Sequence, residues 1–493
     1  MRLSDYPVVF TSDSNYFFSC NAKTIRILSV ETGQVVRVLS SADEGGHTDT
    51  VTSVMLNPRN LLQLYSASLD GTIKLWDFND AVLLRTYEVG VPITHMVVHE
   101  SIPGDFYLTT KKKSTKHFHQ YQAKKSGGLQ AKENTVLLRC SFKASRKKII
   151  RLLKTRTCTG LAISSDGEYL VMTGRYKLHV IHIAAGNGIE KGGVTENDES
   201  RFRCYITPEE ITCLAFHPTE GCIATGDERG RITLWYCFGK NVDRPVTTTM
   251  HWHAHKVAAM CFTSDGNYLL SGGEEAVLVI WQLQTGHKQF LPRLGSEIKH
   301  ITVSPDQAYY AIGHQDNSVN VIRSVDLKIK TAIQGLKFSC STDHLNHPLS
   351  TGLVIEPRNG HVVLNGMAGT LQFYDPIQEQ HIMELEITPR NKVSRTDEKD
   401  IIPPQVMHCA FSKDKAGRWM VTVDGRDDHE TTPELYLKFW EYDDDARTYV
   451  LNTRVDAPHT KEITSCIFNP REDNQAPMVV TTSLSSRGLK IHE

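Results

Sequence analysis

Three groups of residues in this 493-residue chain have types and spacings suited to chemistry. His251, His253 and His255 alternate in the run His251-Trp252-His253-Ala254-His255. On a strand they would share one face, and imidazole suits zinc. In the second group, His47, Asp70 and Trp76 accompany the hydroxyls of Ser66 and Ser68 around the stretch SASLDGTIKLWD (66–77). Asp70, in the tight turn Leu69-Asp70-Gly71, can hold the His47 imidazole. That ring can reach Ser66 or Ser68, and through it the Trp76 indole N–H. Buried polar groups must be paired, and this set pairs itself. The third group is a run of positive charge. Residues 111–156 carry eleven Lys and four Arg against one acidic residue, Glu133. Lys111, Lys112, Lys113, Lys116, Lys124 and Lys125 are interleaved with His117, Phe118, His119 and Tyr121, and Arg146, Lys147, Lys148, Arg151, Lys154 and Arg156 follow. Such clusters neutralise phosphates, and the rings can stack on bases, so the chemistry is RNA binding. A solvated loop or a nuclear import signal would use the same residues.

The elements that must position these groups repeat along the chain. Gly46-His47 upstream and Trp76-Asp77 downstream bracket a polar turn and the short strand Thr72 to Leu75. That spacing is the signature of a four-stranded propeller blade, the WD40 repeat. An apolar residue before a strand-to-strand turn recurs at Phe10, Leu56, Val98, Ile163, Phe216, Phe262, Val303, Ile355, Phe411 and Phe468, at intervals of 41 to 65 residues. The blade period is about 40–45 residues, with insertions adding to it. Alternation and turn residues at this spacing predict an all-β WD40 β-propeller. Ten units exceed the roughly four to eight blades of one ring. The expected organisation is therefore a first, roughly seven-bladed propeller over 1–336, a connection over 337–349, and a partial second propeller of about three blades over 350–493. Three blades leave open edges, and the last repeat lacks an Asp-Gly turn and a Trp, so a fragment or truncated product is expected.

Within this frame the histidine run reads as part of a blade. His255 stands 26 residues before Trp281, where a structural histidine belongs, so no metal site is expected. Glu274-Glu275 replaces the usual Asp-Gly turn there, which predicts an incomplete polar chain in that blade.

The formal net charge of −1 conceals an asymmetry: 111–156 holds +14, leaving −15 on the remainder, with acidic residues clustered at 424–445. The eleven cysteines include no Cys-x-x-Cys pair, and Cys213, Cys261, Cys409 and Cys466 occupy strand-like apolar positions. They read as core residues in a reducing compartment. No apolar run is long enough to span a bilayer. Phosphate-binding glycine loops, nucleophile elbows and His-Glu-x-x-His are absent, so neither catalytic residues nor a cofactor site is expected, and no small-molecule substrate. The Gly-rich stretch 184–201 reads as an exposed loop.

LQLYSASLDGTIKLWD (62–77), CLAFHPTEGCIATG (213–226), HWHAHKV (251–257), FLPRLGSEIKHITVSP (290–305) and VLNGMAGTLQFY (363–374) resemble the WD repeat-containing protein 75 family. The resemblance covers nearly the whole chain. It implies a non-catalytic tandem-propeller scaffold of the nucleolar small-subunit processome, in the nucleus, that supports pre-ribosomal RNA transcription and early 18S processing. Its implied partners are other processome WD-repeat proteins and pre-ribosomal RNA. Family members are longer at the N-terminus, complete the second propeller and add a C-terminal tail. The rival expectation is an adaptor propeller that recruits proteins, such as a ubiquitin-ligase substrate receptor, for which +14 on one blade has no use.

Overall fold

A computed structural model describes residues 3–39, 45–102, 104–112, 134–142, 147–183, 202–236, 238, 244–292, 294–337, 351–388, 404–413, 417–426, 434–469, 478–483 and 489–492. Every regular element among them is a strand. The chain divides into two compact units, Arg2–Ile333 and Gln334–Glu493.

The first unit is built of seven four-stranded antiparallel sheets, and in each the spatial order of strands is their chain order. Every sheet is thus a meander joined by tight turns. Left-handed Gly71 (φ 82°) and Gly230 (φ 77°) make two of these turns, a conformation that glycine adopts without strain. Inner strands send alternate residues to the two neighbouring sheets. Phe106 and Leu108 pack with Ala67 and Ile73 of the second sheet, while Tyr107 packs with Leu170, Met172 and Ile181 of the fourth. Each sheet is buried on both sides, which is why its central strands read as near-continuous apolar runs.

The first sheet meets the seventh through hydrogen bonds. Leu3 N donates to Asn317 Oδ1 at 2.5 Å and Ser4 Oγ to the His314 carbonyl at 2.5 Å. Thr302 Oγ1 donates to the Val8 carbonyl at 3.0 Å, and Thr331 Oγ1 to the Val30 carbonyl at 2.7 Å. The seven-bladed ring therefore closes by edge contacts between chain ends rather than by a strand shared between them.

The second unit holds two four-stranded sheets, from Val354–Ile355 to Gln380–Glu386 and from Gln405–Phe411 to Thr448–Asp456, and a three-stranded sheet ending in Leu489–His492. Lys337 opens it: its N–H donates to Gln372 Oε1 at 2.9 Å and its ammonium to Glu384 at 2.6 Å. The final repeat keeps more of the blade pattern than its sequence predicts. His459 Nε2 lies 2.7 Å from Thr481 Oγ1, and His492 Nε2 lies 3.1 Å from the same hydroxyl, in the place an indole takes elsewhere.

Candidate nucleic-acid interface

The polar chain of the second sheet sets the geometry against which the other blades are read. His47 Nδ1 lies 2.9 Å from Asp70 Oδ2, and Nε2 lies 2.8 Å from Ser66 Oγ. The Trp76 indole N–H donates to the same hydroxyl at 2.8 Å. Of the two serines open from sequence, Ser66 completes the chain. Ser68 instead donates to the Asp49 carbonyl and accepts the Asp70 N–H. Burial lowers the His47 pKa, so its ring stays neutral, with Nδ1–H donating to the carboxylate and Nε2 accepting from Ser66. Burial alone would raise Asp70, but hydrogen bonds from Thr72 and His47 outweigh it and hold the carboxyl below its usual value. This constellation is a structural clasp, occupied entirely by its own members.

The sixth sheet corrects two expectations. His253, and not His255, is its structural histidine: Nε2 lies 2.8 Å from Ser271 Oγ, which also accepts the Trp281 indole N–H at 2.8 Å. The chain is complete as well. Glu275 lies 3.3 Å from His253 Nδ1 and accepts the His255 N–H at 2.6 Å. In this turn Ala276 takes the left-handed backbone (φ 55°) that Gly71 takes in the second sheet. The three histidines share no face, because the strand Val246–His251 ends at the first of them. His253 is buried, whereas His251 and His255 are exposed.

The basic residues that the structure describes lie in or directly beside the third sheet, whose strands are His95–Val97, Asp105–Lys112, Asn134–Ser141 and Lys148–Thr155. Lys113, Lys116, Lys124, Lys125 and Arg146 lie outside the described residues. Lys112 ends its strand opposite Asn134. Lys111, Lys147, Lys148, Arg151, Lys154 and Arg156 are exposed. None of these six has a carboxylate partner among the described residues.

Sequence places two clusters in one segment, but the meander separates them. Lys111 pairs with Thr135, and Thr135 with Thr155, so Lys111 and Arg156 stand at one end of the sheet. Asp105 pairs with Ser141, and Ser141 with Lys148, so Lys147 and Lys148 stand at the other. Six strand residues separate the rows, about 20 Å. A β-bulge opposite Leu137/Leu138 makes Leu152 and Leu153 both inward-facing. It also puts Arg151 and Lys154 on one face, opposite Leu138 and Val136.

One basic residue of the segment is spent internally. Arg139 donates from Nε and Nη2 to the buried Asp105 carboxylate at 2.9 and 2.5 Å. Nothing in the spacing of residues 34 apart announces that pair. Sequence reasoning also missed an open depression of about 530 Å³ on the fifth and sixth sheets, lined by Arg231, His251, His255 and Lys256 with Glu228 and Glu274.

Comparison with known proteins adds family evidence. Residues 9–317 match the family model of the WD repeat-containing protein 75 first beta-propeller, and 353–491 match that of its second beta-propeller. WD repeat-containing protein 75 of Mus musculus is 33% identical over 98% of this chain and 54% of its own length. The Danio rerio protein of that name is 31% identical over 99% of the chain and 55% of its length. U3 small nucleolar RNA-associated protein 17 of Schizosaccharomyces pombe is 27% identical over 93% and 58%. The chain spans about half the length of these curated relatives.

Proposed function

Because the chain belongs to the WD repeat-containing protein 75 family, we propose that it is a non-catalytic WD-repeat scaffold of ribosome biogenesis, acting in the nucleolar small-subunit processome. Its role is to support pre-ribosomal RNA transcription and early 18S processing. The first propeller (1–336) serves as a rigid platform, joined through 337–349 to the blades of 350–493. Other processome WD-repeat proteins dock on its surfaces, and pre-ribosomal RNA is held by the third sheet.

The observation that carries this reading is the set of exposed cations on one sheet of an otherwise acidic chain, none with a carboxylate partner among the described residues. Cations already committed to carboxylates gain little from a phosphate, whereas uncommitted ones gain its full attraction. Negative charge elsewhere repels a polyanion from the wrong face. The name of the fission-yeast relative, which links that protein to U3 small nucleolar RNA, supports the same direction.

Depleting the protein in cells and measuring ribosomal RNA precursors tests the reading. Fewer transcripts and delayed early small-subunit cleavage are expected. Unchanged precursors together with a lengthened half-life of some protein would establish the adaptor function instead.

A further inference from the structure

The cationic end of the third sheet runs on to the fourth. Strands Tyr169–Thr173 and Lys177–His182 are joined by the tight turn Gly174-Arg175-Tyr176-Lys177. This turn presses on the end of Lys148–Thr155: a Cβ on Gly174 would stand 2.9 Å from Thr155 Oγ1. A side chain there would push the two sheets apart. Chain geometry then puts the Cα atoms of Arg156 and Arg175 within roughly 15 Å of each other. Lys111 lies two strands in from Thr155, about 10 Å away. Four residues along the same strand from Tyr107, which packs on the fourth sheet, Lys111 shares that residue's face and so the same seam.

The turn presents a ring between charges. Tyr176 is 41% exposed, and the Arg175 guanidinium lies 5.3 Å from its centroid. Arg175 is committed to Glu210 through Nε at 2.6 Å, which fixes it against the ring. Lys177 is exposed and has no carboxylate partner among the described residues. Lys177 follows this exposed ring in the chain, Lys111 and Arg156 stand at the adjoining end of the third sheet, and none of the three has a carboxylate partner among the described residues. Cations beside an open ring suit single-stranded nucleic acid, whose phosphates take the charges and whose bases have a face to stack. An acidic peptide would use the charges and leave the ring idle.

We propose that single-stranded RNA crosses from the third sheet to the fourth at this seam, its phosphates on Lys111, Arg156 and Lys177 and one base stacked on Tyr176. The inference rests on the RNA reading of the third sheet and assigns the path and the stacking residue.

Anisotropy titrations of the whole 493-residue chain with a labelled oligouridylate, and with an abasic oligomer of equal length, test it. Tyr176→Leu is expected to weaken oligouridylate binding about five-fold or more and to leave abasic binding unchanged, while Tyr176→Phe binds like the parent. Lys177→Gln is expected to flatten the salt dependence by about 0.7 log units per tenfold salt. If Arg156→Gln weakens binding but Tyr176→Leu and Lys177→Gln do not, the seam path is wrong and the RNA reading stands. If Lys111→Gln, Arg151→Gln and Arg156→Gln also leave binding untouched, the RNA reading itself falls. Competition by polyglutamate together with indifference to Tyr176→Leu would assign the seam to an acidic protein partner. Tyr176 is at the surface, so unchanged melting of each variant excludes misfolding as the cause.

Discussion

Glu275 holds His253 at 3.3 Å in the sixth sheet as Asp70 holds His47 at 2.9 Å in the second. One methylene longer, the glutamate also reaches the His255 N–H at 2.6 Å, so a single carboxylate ties the turn to the loop entering the blade. Two different turn sequences thus build one clasp.

Removing either carboxylate leaves a buried donor without its partner. Asp70→Ala and Glu275→Ala are each expected to cost about 1–3 kcal/mol in denaturant unfolding. His255→Ala and Asp444→Ala serve as controls. His255 offers only its backbone to the clasp, and Asp444 pairs with Arg358 from an 81% exposed side chain, where ion pairs contribute little. Equal shifts in all four variants would refute the assignment of His253 and Asp70.

Acid should weaken the sixth sheet through the same contact. Burial opposes ionisation of Glu275, but hydrogen bonds from His253 and the His255 amide prevail and bring its pKa down to about 2. Because the folded value lies below the unfolded one, the stabilisation is present above about pH 4.5 and is lost as pH falls toward 2. Unfolding curves for wild type and Glu275→Gln should converge over that window. A constant gap between them would contradict it.

Buried neutral imidazoles make a second, milder acid sensitivity. Burial holds His95, His179 and His300 at about 4. Each favours the folded state while neutral, so stability should decline as pH drops from about 6.5 toward 4. His179 is the sharpest probe, since neither ring nitrogen has a hydrogen-bond partner among the described residues. His179→Phe should reduce the pH dependence in that range without loss of stability at pH 7. A steeper pH dependence would show that the imidazole is charged.

Closure of the ring depends on Asn317. Its Oδ1 accepts the Leu3 N–H at 2.5 Å and lies 3.4 Å from the Ser4 N–H. Asn317→Ala should cost about 1–3 kcal/mol. It should also raise hydrogen exchange first in the strand Tyr16–Asn21. Exchange rising instead in the third sheet would rule out the closure role.

The two ends of the third sheet should differ in RNA binding. Reversing Lys111, Lys112, Lys113, Arg146, Lys147 and Lys148 to Glu together should abolish binding. Lys111→Glu with Arg156→Glu should weaken it more than Lys147→Glu with Lys148→Glu, because about 20 Å separates the pairs. Equal losses would show that both ends contact the strand.

Much of this architecture was legible in the amino-acid order, because a blade is a local object. Its turns, its alternation and its polar turn residues recur within some 40–45 residues. The all-β fold, the repeat and the chain joining His47, Asp70, a serine and Trp76 follow from that periodicity. Choices between residues of equal parity did not follow. Ser66 and Ser68 point to the same side of one strand, and only the register that sets Trp76 opposite Leu64 selects Ser66. His253 and His255 differ by two residues in a loop whose length varies, and only the buried position beside Ser271 selects His253. The basic segment shows the limit most plainly. Its composition alone determined that one sheet would carry the positive charge. The hairpins then carried Lys111 and Lys148 to opposite ends, paired Arg139 with Asp105, and brought Arg156 to the turn that bears Tyr176. Those contacts join residues far apart along the chain, and only the antiparallel register and the packing of one sheet on the next decide them.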